Sequence, residues 1–462
     1  MRSADSAGAL ECNSAILPGM SRCPGVALLA MLLAPAAAAL AHAAPAAPPS
    51  VPVPRVTFAS SNQAVSQLLR LADQRLALMP AVAAWKWRHH APVSAPAREQ
   101  AVIAQAGQRA AQLGLSTMAV ERIFALQVRL AGEQESRLER RWRQQGYDYQ
   151  GEPPSLPTVL RPRLDHLTLE LLQALYLAAP TLASRDFPTR YAATAGRLLH
   201  AAGWSGRSRA QLLEALHAVA APAGPPLERI RAARLLRIGT TGDYAPFSLE
   251  RAGGLTGTDV TLGGELAAAM GARAVFVHTS WGALLQDLRA GRFDVAMGGI
   301  SITPARAAAA AFSIPYYAGG KTIIARCADA AGLSSLAALD QPRYTLIVNP
   351  GGTNQRFVQT HLHRVQVRVF ADNRGIFAEI LAHRADAMIT DDVEAELQTR
   401  VHPGLCRSIP GTLTHEDKAV LMLRQPALVA AVDDWLRGQI ATGRPARLMA
   451  AALQAAASGT KQ

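Results

Sequence analysis

The chain has 462 residues, 50% hydrophobic and 18% charged, enough for two or more ordinary domains with proper cores. Its formal net charge is +13, but the arginines are scattered without interleaved aromatics, which make up only 5%, so nucleic acid is not an expected partner. Anionic small substrates, or solubility alone, account for the sign as well.

Residues 1–43 read as a signal peptide: Arg2 and Arg22 precede an apolar run from Val26 to Leu40, and Ala41-His42-Ala43 fits a small-residue cleavage site. The stretch before the run is long, so Met20 competes with Met1 as the start. Cys23 lies ahead of the apolar run, which argues against a lipoprotein, and Pro35 with the Ala-rich tail weakens the rival reading as a membrane anchor. A periplasmic or secreted protein is expected, with no stable membrane insertion once the leader is cut. Cys12 and Cys23 leave with the leader, so Cys327 and Cys406 remain as one pair able to close a disulfide; the alternative is two unrelated buried thiols.

Residues 44–56 form an Ala/Pro-rich tether, and 57–222 carry helical periodicity without a convincing strand. The first helix is expected from Asn62 to Trp87, bent at Pro80; on it Arg75 and Lys86 stand close to three turns apart and share a face. A second, from Thr117 to Gln144, follows a Ser116 cap. Its apolar stripe of Val120, Ile123, Phe124, Ala131 and Leu138 also contains Gln127 and Glu135, which need internal partners or a ligand. Ordinary hydrogen bonding between helices explains that pattern equally well.

After Ala-Pro-Ala-Gly-Pro-Pro (221–226) a linker is expected over 223–235, then an α/β domain over 236–455 and a tail at 456–462. Two echoing strands, Arg-Phe-Asp-Val-Ala-Met from Arg292 and Arg-Ala-Asp-Ala-Met-Ile from Arg384, each lead into a polar turn. Such strand ends meet at one cleft between two lobes. The polar points of the clamp follow in order: Asp243 and Tyr244, Trp281, Gly299 and Ser301, and Arg306. Lys321, Thr353, Asn354, Asp391 and Glu394 complete it. Asn349–Asn354 opens a helix with two glycines, allowing backbone N–H groups to approach an anion, and matches no nucleotide motif. Arg306 suits a substrate carboxylate and Trp281 a ring, although each alone is an ordinary surface or core residue. His415 and Glu416 are adjacent and make no coordination shell, so no metal is expected.

Lysine is scarce: of 47 basic residues only four are lysine, Lys86, Lys321, Lys418 and Lys461. Lys86 lies between two tryptophans and Lys321 after Gly-Gly, where a compact point charge is not interchangeable with a guanidinium.

Residues 62–205 resemble the secreted, all-helical chorismate mutases through Asp-Gln-Arg-Leu (73–76), Ala-Ala-Trp-Lys-Trp (83–87), Arg98, the Gln127–Glu135 segment and Leu-Arg-Pro-Arg-Leu-Asp (160–165). The resemblance implies Arg75, Lys86, Arg98 and Arg161 as cationic substrate contacts, Gln127 as a further contact, and Glu135 on the substrate hydroxyl. Ala131 and Val102 depart from that pattern, standing where a hydroxyl and an amide are common. Residues 236–455 are similar to periplasmic solute-binding proteins of type II and, more closely, to their enzymatic branch, the cyclohexadienyl (prephenate/arogenate) dehydratases. The runs Thr-Thr-Gly-Asp-Tyr (240–244), Phe-Ser-Ile-Pro-Tyr (312–316), Ile-Val-Asn-Pro-Gly-Gly-Thr-Asn (347–354) and Ala-Asp-Ala-Met-Ile-Thr-Asp (385–391) carry it. It implies Glu394 as a general acid and Lys321 beside the departing groups.

The expected protein is two domains, an all-α mutase followed by a two-lobed α/β clamp. It would be an exported, cofactor-free bifunctional enzyme turning chorismate into prephenate, then prephenate into phenylpyruvate or arogenate into phenylalanine. Helical mutases often dimerise, so a homodimer is implied by resemblance. The competing reading is a transport clamp for amino or aromatic acids fused to a degenerate mutase.

Overall fold

The computed structural model describes residues 56–459; the expected leader, nearly all of the tether, Cys12, Cys23 and Lys461 lie outside the described residues. Helix α1 (Ser61–Ala77) starts where Ser60 Oγ accepts the Gln63 N–H at 3.0 Å and Gln63 Oε1 accepts the Ser60 N–H, a reciprocal cap. The helix expected over 62–87 is in fact two. Pro80 cannot donate to the preceding turn, so α1 stops at Ala77 and α2 (Met79–Arg88) restarts with Pro80 in its first turn. Helix α3 (Pro96–Gln112) precedes α4 (Thr117–Gln145), which is capped by Ser116 Oγ on the Ala119 N–H. A wide π turn, Leu156–Leu160, leads into α5 (Arg161–Leu182), followed by α6 (Phe187–Leu198) and α7 (Gly206–His217).

Two boundaries differ from the expectation. The 223–235 linker is mostly helix α8 (Pro226–Ala233), because Pro226 takes the first helical position, where its missing N–H costs nothing. The 456–462 tail is helical as far as it is described, being the end of helix Arg444–Gly459.

The clamp has two five-stranded sheets, one in each lobe, besides a small three-stranded sheet of Asp243–Tyr244, Ser248–Arg251 and Gly254–Thr256 and a two-stranded ribbon. In the first lobe the spatial order is Arg273–His278, Leu235–Thr240, Val295–Ala296, Leu421–Met422, Ala311–Phe312. In the second it is Gln366–Val369, Thr345–Val348, Ala387–Asp391, Lys321–Arg326, Leu405–Arg407. The chain passes between lobes along an antiparallel ribbon of Tyr317–Gly319 with Glu416–Lys418. Cys327, just past the end of strand Lys321–Arg326, and Cys406, on the neighbouring strand Leu405–Arg407, form a disulfide. Closing so long a loop is worth about 4 kcal/mol on the chain-entropy model.

The helical part is docked on the first lobe through a shared core: Leu171, Leu175 and Tyr176 of α5 belong to one apolar cluster with Ala233, Leu235 and Val275. A buried charge sits at this seam. Asp294 accepts from Arg237 Nη2 at 2.6 Å and Nε at 3.1 Å, lies 3.6 Å from Arg229 Nη2, and accepts from Tyr176 OH at 3.3 Å. The Arg237 guanidinium lies over the Tyr176 ring at 4.5 Å. Substituting Asp294→Ala leaves two buried guanidinium groups without their carboxylate, which should cost about 3–5 kcal/mol. Denaturant unfolding measures this, and a loss under about 1 kcal/mol would contradict it.

Candidate active sites

Within the helical domain a cavity of about 190 Å³ is lined by residues from α1 to α5. Arg75 and Lys86 both face it despite the helix break between them. Arg75 is held by donating to Leu164 O at 2.8 Å and to the Thr168 hydroxyl, leaving its buried Nε without a partner among the described residues. Burial lowers its pKa to about 10, against the pull of Asp165, so it stays charged at neutral pH. Lys86 Nζ donates to Glu135 Oε2 at 2.7 Å and to Val93 O at 2.8 Å, which leaves one of its three donors. Burial raises the Glu135 pKa, although the Lys86 ammonium opposes it.

Gln127 finds the internal partner its position demands, donating to Ala72 O at 3.1 Å, and also lines the cavity. Arg98 and Arg161 line the same space with side chains that reach solvent. Ala131 and Val102 border it too, so both departures from the mutase pattern sit at the cavity wall. Thr168, which fixes Arg75, was missed in the sequence; only its position one turn after Leu164 on α5 brings it there. The result is a cavity with four cationic side chains on its wall, the buried Glu135 carboxyl, and Glu99 and Asp165 at its margin.

In the clamp, Tyr244, Trp281, Gly299, Ser301, Arg306, Thr353, Asn354, Asp391 and Glu394 converge on one inner cleft. The lobes stand closed, with only about 20 Å³ between them, so substrate entry requires them to part along the ribbon. Trp281 meets Tyr244 edge-on at 5.7 Å and carries Arg306 over its ring at 5.9 Å. Arg306 is buried, donates to Ser301 O at 3.0 Å, and has its pKa lowered to about 10 by burial and then by Arg356. Gly299 takes a left-handed backbone, φ 69°, and a Cβ there would collide with the Phe247 and Tyr244 rings. Its N–H is held by Asp259 Oδ2 at 2.8 Å, an anchor not evident in the sequence.

Asp391 is the centre of the site. Its carboxylate accepts from Lys321 Nζ at 2.7 Å, from Lys418 Nζ at 2.7 Å, and from the Tyr244 hydroxyl. Burial alone would raise its pKa, but the two ammonium groups hold it well below the usual carboxylate range. Lys418 Nζ also donates to Ser301 Oγ at 2.7 Å, and Lys321 Nζ to Thr353 Oγ1 at 2.8 Å. Two expectations change here. Lys321 is fully buried behind Asp391 and Thr353 and does not line the cleft, so it acts by fixing those groups. Asp243 does not line the cleft either; it faces a separate outer cavity. Lys418 and Asn373, absent from the expected set, belong to the site.

Glu394 is 3% exposed although it stands in the first turn of helix Asp392–Val401, where a glutamate is usually solvated. One of its carboxyl oxygens accepts from the hydroxyl of Thr390, on the strand that leads into the helix, and Asn354 Nδ2 donates to Thr390 Oγ1 at 3.2 Å. Burial raises its pKa to about 8, with Asp391 and Asp243 adding and Thr390 and Lys321 opposing. At neutral pH it is therefore a protonated acid facing the cleft.

A two-lobed solute-binding clamp that holds a buried protonated acid, behind a helical domain with a cationic cavity, is the class these features define. Residues 236–454 match the family described as bacterial extracellular solute-binding proteins, family 3, and residues 62–136 match chorismate mutase type II. The chain is 45% identical over 212 residues to a cyclohexadienyl dehydratase of Pseudomonas aeruginosa, covering 46% of this chain and 79% of that one. It is 31% identical over 164 residues to the lysine/arginine/ornithine-binding periplasmic protein of Escherichia coli, covering 35% of this chain and 62% of that protein. A solved ancestral amino acid-binding protein, described as a precursor of cyclohexadienyl dehydratase, aligns with TM-score 0.46 and 31% identity over 49% of this chain and 97% of that one.

The chain belongs to the cyclohexadienyl dehydratase family and carries a chorismate mutase domain ahead of it. It is a fused, bifunctional enzyme.

Infrared spectroscopy tests the state of Glu394. A protonated-carboxyl band should be present at neutral pH, titrate away as pH rises through about 8, and be missing from Glu394→Gln. No such band at neutral pH would contradict the protonated acid.

Proposed function

We propose that one chain performs two consecutive steps of phenylalanine biosynthesis, and that the protonated Glu394 is what makes the clamp an enzyme. In the helical cavity chorismate would bind as a dianion folded for a Claisen rearrangement, which needs no nucleophile and no proton transfer. Arg75, Arg98 and Arg161 suit its two carboxylates, and the remaining Lys86 donor suits the ether oxygen where charge develops. Glu135, held by Lys86, is positioned to bond the substrate hydroxyl.

In the clamp, Arg306 would hold the side-chain carboxylate of prephenate or arogenate, and Trp281 would face the ring. Glu394 would protonate the C4 hydroxyl as it leaves as water. The ring carboxylate departs as CO2, and the electron pair of its bond to C1 completes the aromatic ring. Hydroxide is a poor leaving group, so the proton is the catalytic contribution. The buried charge of Asp391 is already matched by Lys321 and Lys418 and keeps both lobes in register around the acid.

Several of the similar proteins are named as amino-acid-binding periplasmic proteins, which keeps a transport clamp as the second reading. Export is part of the proposal, supported by the leader pattern and by the Cys327–Cys406 disulfide. Among the described residues no helix is long and apolar enough to cross a membrane. A homodimer is part of the proposal, supported by the resemblance of the helical domain to the helical mutases.

Glu394→Gln should lower dehydratase turnover by about 10²–10⁴-fold while leaving mutase turnover unchanged. Lys86→Ala should do the reverse, lowering mutase turnover by about 10²–10³-fold. Separate assays with chorismate and prephenate read the two. Prephenate bound by the wild-type clamp without turnover, and bound equally by Glu394→Gln, would favour the carrier. In the wild-type chain dehydratase activity should fall as pH rises through about 8, because the acid is active only while protonated.

A further inference from the structure

Beside the inner cleft lies a second, outer cavity of about 800 Å³, and the two share Asn373 and Glu394 in their linings. The outer cavity is framed by Leu397 and Val401 further along the Glu394 helix, by Ala452 of helix Arg444–Gly459, and by Asp243. Asn373 Nδ2 donates to Asp243 O at 3.0 Å. Asp243 Oδ1 and Asn373 Oδ1 are buried with no hydrogen-bond partner among the described residues. Unpaired polar atoms beside a roomy cavity are where water is held.

The chemistry supplies the need. Prephenate is a dianion, and its products are the phenylpyruvate monoanion, CO2 and water. One proton is therefore consumed per turnover, and Glu394 ends each cycle as a carboxylate. The inner cleft, with space for about one water, provides no reservoir.

We propose that Glu394 is a two-sided acid, giving its proton into the cleft and regaining one from solvent water through the outer cavity past Asp243 and Asn373. This rests on the general-acid reading above. Asp243 is a positioning residue here: its carboxylate holds the water that hands the proton on, and does not touch substrate. The charged groups facing Glu394 are Asp391, Asp243 and Lys321, and around the outer cavity Glu250, Arg251, Arg374 and His402. Burial lowers the pKa of His402, which leaves it neutral at neutral pH. Burial, with Asp391 and Asp243, raises that of Glu394, which favours its reprotonation.

The test is rapid mixing of the full chain with prephenate at neutral pH, following phenylpyruvate. Ala452→Trp fills the outer cavity from the C-terminal helix, and Asp243→Asn removes the relay carboxylate without filling it. Each should give a first turnover at the wild-type rate, as a burst of one equivalent, then a steady rate at least tenfold slower, with kcat/KM unchanged and KM lowered in proportion. Retained prephenate binding, together with mutase turnover, reports that each variant is folded; should Ala452→Trp fail this check, Asp243→Asn decides alone. Steady rates equal to wild type, or slowed without a burst, would overturn the proposal and mean that Glu394 is reprotonated through the opened cleft. Glu394→Gln separates the two layers. A normal first turnover in that variant would remove the general-acid reading itself, whereas its loss together with unchanged port variants would remove only the port.

Discussion

The closed clamp depends on one buried carboxylate. Asp391 ends the central strand of the second lobe and is met there by Lys418 from the interlobe ribbon, Lys321 from the adjacent strand, and Tyr244 from the first lobe. A charge so buried is costly unless fully paired, and these partners come from both sides of the cleft. Lys418 then reaches Ser301 and Lys321 reaches Thr353, so two further cleft residues are fixed by the same pair of ammonium groups. With its negative charge matched, Asp391 keeps its proton off while Glu394, three residues later and with no ion pair among the described residues, keeps its proton on. Two neighbouring carboxyls are thus driven in opposite directions by their surroundings, which is how acid and structural roles are separated in one site.

The two catalytic spaces solve opposite problems. The helical cavity gathers guanidinium and ammonium groups on its wall, the arrangement that suits the proposed dianionic substrate. The clamp, by contrast, spends its lysines on its own carboxylate and offers the substrate a buried acid. The product of the first is the substrate of the second, and the Asp294 seam joins the domains through a common core.

Much of this was legible in the chain. Arginine is so prevalent that the rare lysines stand out, and Lys86, Lys321 and Lys418 all lie buried or nearly so within the two sites. The sequence assigns Lys418 no role, since its distance along the chain from Asp391 hides the contact. Asp243 was misplaced for a simple reason. It and Tyr244 form one short strand, where successive side chains point to opposite faces, so Tyr244 enters the cleft and Asp243 cannot. The Pro-rich stretch before the clamp read as a linker because proline both breaks and starts helices, and only the packing of Leu227 and Ile230 into the first lobe decides for α8. Glu394 shows the limit of local reading: its place in a first helical turn predicts solvent, and its burial comes from the closure of two lobes.

The measurement that bears most directly on the account is conversion of chorismate by the purified full chain, following chorismate and phenylpyruvate together in one tube. Loss of chorismate matched by phenylpyruvate, with no added cofactor, is the predicted result. Chorismate consumed while prephenate accumulates would leave the clamp a binder and contradict the role given to Glu394.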